Sequence, residues 1–274
     1  MSNTNWSTGL NKIKGSSAIT QLLLINGVVF LVGNLMTHLL HFNLLGYFML
    51  PARMAELSMK FYTPLTYMFA HAELGHAFFN MIYLYFMGQI FASIVGEKRL
   101  WFVYLMGGIA GAIFFLAMFN IFFAGAPAYL LGASAAVTAV GVACAVYAPN
   151  MPVNLFLFGE MKLKWVVLIW FLLSTALDLS VNTGGKVAHL GGAIFGLAYA
   201  WQLRKGHDWM SLLSFNFARK KKDARVYQMK NRQQAKVVNE EKTLNDLLDK
   251  INKSGYDSLS KAEKETLQKI AAKK

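Results

Sequence analysis

Long apolar segments constrain this chain more than any other feature of its sequence. An α-helix needs about 20 apolar residues to cross the roughly 30 Å hydrocarbon core of a bilayer. Six segments reach or approach that length, at residues 19–40, 77–95, 100–123, 129–148, 163–177 and 187–203. Because the first run is too long for a secretory signal peptide, we expect it to be retained as an anchor helix. The sequence therefore predicts an all-α polytopic membrane protein with six transmembrane helices.

Basic residues are concentrated after the last apolar segment. Only nine of the 27 Lys and Arg residues lie before residue 204, so the net charge of +13 belongs mostly to the C-terminal region. Lys and Arg are enriched in the cytoplasmic loops of membrane proteins. The predicted inside segments carry Lys12, Lys14, Lys98, Arg99, Lys162 and Lys164, whereas the outside loops carry Arg53, Lys60 and Lys186. Together with the basic C-terminal region, this bias predicts that both termini are cytoplasmic.

Polar side chains inside the predicted spans are candidates for function, because such residues are costly in lipid. Asn80 lies in the second span, Ser134 in the fourth and His189 near the start of the sixth. In the predicted topology all three spans enter from the outside face. At 1.5 Å per residue, the three side chains fall within about 10 Å of that face. Since the topology follows from charge alone, their common depth indicates a shared site. Ser93 and Ser174, by contrast, are expected to bond their own helix backbones.

Small residues predict that the fourth and sixth spans pack closely. Gly192 and Gly196 have the GxxxG spacing, and the fourth span carries Gly132 and several alanines. Such faces let two helix backbones approach each other in lipid. This approach would bring Ser134 within reach of His189, and a serine needs an adjacent base to act as a nucleophile. Because no carboxylate is placed to orient the histidine, we predict a Ser-His dyad rather than a triad.

Acyl transfer also requires hydrogen-bond donors for the oxyanion that develops on the substrate. His76 and Asn80 are four residues apart, so they share one helix face, and the backbone N–H of Ser134 is a third candidate. His71 is expected to point away from that face. A zinc site is the chemical rival, but the H-E-x-x-H motif needs histidines at i and i+4, whereas His71 and His76 are five apart. We predict no metal and no cofactor.

These residues resemble the signature of the rhomboid family of intramembrane serine proteases, in its bacterial type with a six-helix core. The family pattern is H-x-x-x-x-H-x-x-x-N on the second core helix, G-x-S on the fourth and A-H-x-x-G-x-x-x-G on the sixth. This chain matches it with His71, His76 and Asn80, with Gly132 and Ser134, and with Ala188, His189, Gly192 and Gly196. The resemblance covers about residues 17–205.

The resemblance implies a six-transmembrane-helix bundle that cleaves transmembrane segments of other proteins near the outer face. It assigns Ser134 as nucleophile, His189 as general base, and His76 and Asn80 with the Ser134 N–H as oxyanion donors. His71 and the motif glycines would be structural. The expected partners are transmembrane protein substrates and the lipid bilayer, in a bacterial inner (plasma) membrane.

Two positions depart from the family pattern. Ala135 follows the serine where a glycine is usual, and Thr138 stands where many members carry a tyrosine that packs on the histidine. Neither change removes a catalytic atom, but both leave open an altered activity. The alternative function is therefore a non-catalytic rhomboid-like protein that binds transmembrane helices. A small transporter is disfavoured, because no inverted repeat or pair of broken helices is visible.

The sequence predicts four regions: an N-terminal cytoplasmic segment (1–16), the rhomboid-like membrane domain (17–205), a basic linker (206–240) and a small cytoplasmic helical hairpin (241–274). In the linker, Trp209 and the basic run 219–222 suit either an anionic membrane surface or a simple spacer. The hairpin follows from helical spacing of Leu244, Leu247, Leu248 and Ile251, a helix end at Gly255 and a capping box from Ser260 to Glu263. Its interleaved charges argue against nucleic-acid binding.

Overall fold

A computed structural model describes residues 17–123, 126–155, 159–176, 183–211, 245, 247–253, 255 and 258–271. The chain divides into two compact units, Met1–Met210 and Ser211–Lys274. The predicted segment 1–16, the basic run 219–222 and Leu244 lie outside the described residues.

Helices make up most of the described part of the first unit. Its long helices are α1 (Ala18–Leu39), α5 (Leu74–Ile94), α6 (Glu97–Phe122), α7 (Ser134–Tyr147), α8 (Leu163–Phe171) and α9 (Thr183–Arg204). Between α1 and α5 lie the short helices α2 (Leu45–Phe48), α3 (Met54–Met59) and α4 (Thr63–Thr66), followed by a 3₁₀ turn (Tyr67–Phe69). Each long helix overlaps one of the six predicted segments.

The largest differences between the structure and the predicted segments are at three helix ends. The fourth segment begins its helix at Ser134 and not at Tyr129, because Tyr129–Leu130 forms a strand. The fifth is α-helical only to Phe171 and then continues as a π turn over Leu172–Ala176. The sixth begins four residues earlier than predicted, at Thr183. Apolar counting cannot detect these changes, because they depend on turn and backbone geometry.

Three helices in the described residues are long and apolar enough to cross a membrane, namely α1, α5 and α6. The helix α7 and residues 163–175 are apolar but shorter. Large apolar side chains such as Leu31, Phe86 and Ile121 are exposed on the outside of the bundle, as expected for surfaces that face lipid. The fold is therefore that of a helical membrane protein, but the predicted count of six spans is not confirmed.

Two small antiparallel sheets connect the loops. Strand β1 (Leu50–Pro51) pairs with β2 (Tyr129–Leu130), with Leu50 opposite Leu130, and the N–H of Ala52 donates to the Ala128 carbonyl over 2.9 Å. Strands β3 (Pro152–Leu155) and β4 (Gly159–Lys162) pair with each other after α7. The first sheet fixes the chain that leads into Ser134 against the segment that follows α1.

The core of the bundle is formed by α6, α7 and α9, each of which packs against the other two. A Cβ atom added at Gly192 or at Gly196 would meet the carbonyl oxygen of Ala135 or of Ala139, respectively. On the other side of α7, the methyl group of Ala135 faces Gly111 of α6. The helix backbones therefore approach each other as the small residues predicted.

Buried polar groups fix the segment between α4 and α5. The Tyr104 hydroxyl of α6 donates to the Met68 carbonyl over 2.9 Å and accepts from the Asn26 amide of α1 over 3.0 Å. The Tyr67 hydroxyl donates to the Gly108 carbonyl over 2.7 Å. All of these side chains are fully buried, where an unpaired polar group would be costly. The segment is thus anchored to two long helices.

The opposite end of the bundle joins the start of α1 to the chain that follows α9. The Ala18 N–H donates to Glu97 over 3.4 Å, and Arg99 forms an ion pair with Asp208 over 2.9 Å. The Tyr199 hydroxyl also donates to Asp208, over 3.1 Å. The described beginning and end of the membrane unit therefore lie on the same face of the bundle, the face away from Ser134.

The second unit contains helical residues 247–253 and the helix α10 (Lys261–Ala271). Gly255 has a φ of 78° and its N–H donates to the Ile251 carbonyl, which ends the first helix as predicted. The predicted capping box also forms: the Ser260 N–H donates to Glu263 over 2.7 Å, and the Glu263 N–H donates to the Ser260 hydroxyl over 3.3 Å. Lys250 pairs with Glu263 across the turn.

The substitution Gly192→Ala should push α7 and α9 apart. The new methyl group would overlap the Ala135 carbonyl oxygen, which is backbone and cannot rotate away. Overpacking of this kind costs about 1–3 kcal/mol, so thermal unfolding in detergent should occur at a lower temperature than in the wild type. The control is Gly27→Ala in α1, where no atom lies within 4 Å of the new Cβ. Alanine favours a helix over glycine, so this variant should be as stable or more stable. Equal melting of both variants would contradict the close contact.

The hairpin of the second unit should lose stability in acid. Hydrogen bonds from the Lys250 side chain and from the Ser260 backbone lower the pKa of the Glu263 carboxyl from 4.5 to about 2. A group whose pKa is lower in the folded state stabilises that state above its unfolded pKa, and this contribution is lost as the pH falls from about 4.5 towards 2. Cα chemical shifts of α10 should report this loss, and Glu263→Gln should abolish its pH dependence. Glu265→Gln, at an exposed position of the same helix, should retain it.

Candidate active site

Ser134 is the first residue of α7, whereas the sequence predicted it about five residues into a helix. The first N–H groups of a helix have no partner within it, so the Ser134 N–H is not used by a helical hydrogen bond. Gly132 precedes it with a φ of 119°, and a Cβ there would lie 2.7 Å from the His76 ring. Only glycine fits this position. Here the chain turns, directly beside His76, and enters α7.

His189 lies on the buried side of α9 and is 8% exposed. Its Nδ1 atom is 3.1 Å from the Thr175 hydroxyl, which belongs to the π turn after α8. This partner was not predicted, because Thr175 lies at the end of an apolar run and belongs to no recognisable motif. Ser174, the residue before it, donates to the Phe171 carbonyl over 3.3 Å. Ser93 donates to Ile90, so both serines bond their own helix as predicted.

One cavity of about 790 Å³ brings the predicted site residues together. Its lining includes His76, Asn80, Ser134, Thr138, Trp170 and His189. Although these residues come from four helices, they line the same cavity. Between the described side chains of Ser134 and His189 no hydrogen bond is formed. Catalytic hydrogen bonds are often long in unliganded enzymes and shorten when substrate binds.

His71 does not point away from Asn80, and that prediction is wrong. The Nε2 atom of His71 accepts from the Asn80 amide over 3.2 Å and from the Ala133 N–H over 3.2 Å. The prediction failed because His71 lies before α5 begins at Leu74, so helical spacing does not apply to it. His71 therefore links the helix that carries Asn80 to the residue before Ser134.

The protonation state of His71 follows from these contacts. Because both neighbours donate to Nε2, the ring carries its proton on Nδ1. Burial, together with the nearby His76, lowers the pKa of His71 to about 3, so the ring is neutral at physiological pH. Its backbone carbonyl accepts from the Asn34 amide over 3.1 Å, which fixes the residue to α1. His71 is thus a fixed acceptor that orients the Asn80 side chain.

Asn80 is 4% exposed and presents its amide group to the cavity. An amide nitrogen has two N–H groups, so donation of one to His71 leaves the other available. The ring of His76 is half-buried and meets the His71 ring edge to face, with centroids 5.3 Å apart. In the part of the chain that the structure describes, no cluster of three or more His, Cys, Asp or Glu side chains is suited to hold a metal ion.

Comparison with known proteins identifies the family. The model of the Rhomboid domain matches residues 58–206, which is more than half of the chain. The chain belongs to the rhomboid family. A second model, for a family of unknown function (DUF6576), matches residues 227–273.

Two curated relatives are similar to this rhomboid over about half of its length. Rhomboid protein 1, mitochondrial, of Saccharomyces cerevisiae is 29% identical over 140 residues, which cover 50% of this chain and 40% of the relative. RHOMBOID-like protein 12, mitochondrial, of Arabidopsis thaliana is 32% identical over 162 residues, which cover 54% of this chain and 48% of the relative. The rhomboid thus spans less than half the length of the curated relatives it matches.

These relatives contradict the prediction of a bacterial inner membrane. Both are named as mitochondrial proteins. The assignment of both termini to a bacterial cytoplasm fails with it. Loop charges and site motifs describe how a helix bundle crosses a bilayer, but they carry no information on which membrane contains it.

The two departures from the family pattern have structural surroundings that accommodate them. The Ala135 methyl group faces Gly111, and because glycine has no side chain, there is room for this methyl group. Thr138 is 3% exposed and lines the cavity beside His189 and Trp170. Because threonine is smaller than tyrosine, it leaves room in the cavity of this rhomboid.

The substitution His71→Ala should destabilise the rhomboid. It removes the acceptor of both the Asn80 amide and the Ala133 N–H, and a buried donor without a partner costs about 1–3 kcal/mol. The melting temperature in detergent should fall, as measured by circular dichroism. His38→Ala at the exposed end of α1 is the matched control and should melt as the wild type does. A wild-type melting temperature for His71→Ala would show that these hydrogen bonds contribute nothing to stability.

Proposed function

We propose that this rhomboid is an intramembrane serine endopeptidase that cleaves transmembrane segments of other membrane proteins by a Ser-His dyad. The observation that carries the proposal is the single cavity shared by Ser134, His189, His76 and Asn80. These residues come from distant parts of the chain, and each type suits one task in acyl transfer. Their shared space is what a hydrolytic site requires.

The proposed reaction begins when the Ser134 hydroxyl attacks the carbonyl carbon of the scissile peptide. His189 Nε2 accepts the hydroxyl proton as the bond forms. The negative charge on the carbonyl oxygen is stabilised by the Ser134 N–H, the second N–H of the Asn80 amide and His76. His189 then donates the proton to the leaving amine, and the acyl group stays on Ser134. A water molecule, deprotonated by His189, releases the acyl group and restores the serine.

The position of the cavity suggests where substrates are cut. It lies at the end of the bundle where α7 begins, opposite the end that carries Arg99 and Asp208. We propose that α1 and α5 to α9 form six transmembrane spans, and that cleavage occurs near the membrane face next to the cavity. A peptide bond must leave its helix to reach Ser134. Substrates with glycine or proline near that face should therefore be preferred, since such residues lower the cost of unwinding.

We further propose the four-region organisation, with the protease domain at residues 17–205 followed by a linker and a helical hairpin. The names of the two relatives favour a mitochondrial membrane as the location. The proposed chemistry depends on the cavity and is the same in any bilayer.

Cleavage of a model transmembrane substrate by the purified protein in detergent tests the proposed function. Ser134→Ala removes the nucleophile and His189→Ala removes its base, so each should abolish cleavage. Residues that act as a unit lose activity non-additively, so the double variant should be about as inactive as either single one. Asn80→Ala removes one oxyanion donor and should slow cleavage by up to about 10²–10³-fold. The exposed Ser93→Ala, whose hydroxyl bonds only its own helix, should cleave as the wild type does.

A fluorophosphonate probe separates the two candidate functions. It should label the wild type at Ser134 and should not label Ser134→Ala. If the wild type neither reacts with the probe nor cleaves any of several substrates, the helix-binding function without catalysis is favoured. Full proteolysis by His189→Ala would show that the base has been wrongly assigned.

A further inference from the structure

The Nδ1 atom of His189 has a partner that the proposed mechanism does not use. The Thr175 Oγ1 atom, in the π turn after α8, lies 3.1 Å from the Nδ1 atom of His189 in α9. Both residues are at least partly buried. A hydrogen bond between two helical segments at a catalytic base fixes the ring against rotation, and the ring's orientation decides which nitrogen can meet Ser134.

We propose that Thr175 is a positioning residue that holds the Nδ1–H of His189 and so keeps Nε2 available as the base for Ser134. This inference rests on the proposed function. A neutral histidine carries its proton on one ring nitrogen only, and that choice is set by the hydrogen bond that the other nitrogen makes. A threonine hydroxyl can either donate or accept a hydrogen bond. The proposed mechanism requires Nε2 without a proton, so the neutral ring carries its proton on Nδ1 and the Thr175 oxygen accepts from it over 3.1 Å.

The π turn at Leu172–Ala176 explains why Thr175 reaches His189 and its neighbour does not. A π turn holds more residues than an α-helical turn, so it changes the direction of every side chain after it. Ser174 bonds back to Phe171 within its own segment, whereas Thr175 bonds across to α9. Such turns occur frequently at functional sites. The irregularity thus coincides with a hydrogen bond from this segment to the proposed catalytic base.

Two variants at position 175 separate positioning from packing. Thr175→Val keeps the shape of the side chain but removes the hydroxyl, whereas Thr175→Ser keeps the hydroxyl and removes the methyl group. We expect Thr175→Val to lower kcat about tenfold, as for the loss of one neutral hydrogen bond, with KM unchanged. Thr175→Ser should restore most of the rate. A purely structural role predicts the reverse order, with valine active and serine impaired.

The control for a threonine-to-valine change in a membrane helix is Thr37→Val. The Thr37 hydroxyl donates to the Gly33 carbonyl of its own helix over 2.8 Å, away from the cavity lining. This variant should keep wild-type kcat and KM. Melting temperatures of all variants, measured in the same detergent, identify any loss of folded protein, and the rates are compared per folded molecule.

A spectroscopic measurement makes the inference independent of proteolysis. In protein labelled with ¹⁵N at its histidine rings, His189 should show the tautomer protonated at Nδ1. Thr175→Val should shift it towards a mixture of both tautomers, and Thr175→Ser should not. If the proposed function is wrong, the wild type will not cleave substrates. The tautomer measurement does not need cleavage, so it still tests whether Thr175 positions His189. An unchanged kcat together with an unchanged tautomer in Thr175→Val would overturn the inference.

Discussion

The close contact between α7 and α9 is the interaction on which the site depends. Water drives apolar faces together in soluble proteins, but lipid does not, so helices in a membrane associate through tight van der Waals packing of small residues. Here Gly192 rests on the carbonyl of Ala135, the residue directly after Ser134. His189 lies three residues before Gly192, about one helical turn away. The two proposed catalytic residues are therefore near neighbours of the contact that joins their helices.

A second set of contacts holds the approach to Ser134. The Tyr67 carbonyl accepts from the Gly132 N–H over 3.0 Å, while His71 accepts from the Ala133 N–H. Thus the two residues before Ser134 are both bonded to the segment that precedes α5. That segment is in turn bonded to α1 and α6 through Asn34 and Tyr104. The position of the start of α7 is consequently set by these buried hydrogen bonds, and such preorganisation is what the proposed oxyanion site requires.

Much of this arrangement could be predicted from the sequence, because membrane helices follow simple rules of length and composition. Gly192 and Gly196 indicated the helix contact, and the common depth of Ser134 and His189 indicated their shared cavity. What failed depends on non-helical geometry. The orientation of His71 was wrong, since helical spacing was applied to a residue outside the helix. The start of α7 was missed because Tyr129–Leu130 pairs with a distant strand. The contact of Thr175 with His189 was not predicted, because the direction of the Thr175 side chain depends on a π turn that apolar counting does not detect.

The hydroxyl group of Thr175, which lies beside His189, is uncharged and therefore suits the low polarity of a membrane protein's interior. A buried carboxylate loses its hydration, and only an excellent set of partners compensates for that loss. A hydroxyl group carries no charge and costs much less to bury, particularly when it is hydrogen-bonded. In the proposed mechanism Thr175 therefore holds the histidine ring by a hydrogen bond that carries no charge. His71 likewise orients Asn80 as a neutral ring, although its buried Nδ1 atom has no hydrogen-bond partner among the described residues. Neutral hydrogen bonds can thus orient the residues of the proposed hydrolytic site, which is enclosed by apolar helices, without burying a charge.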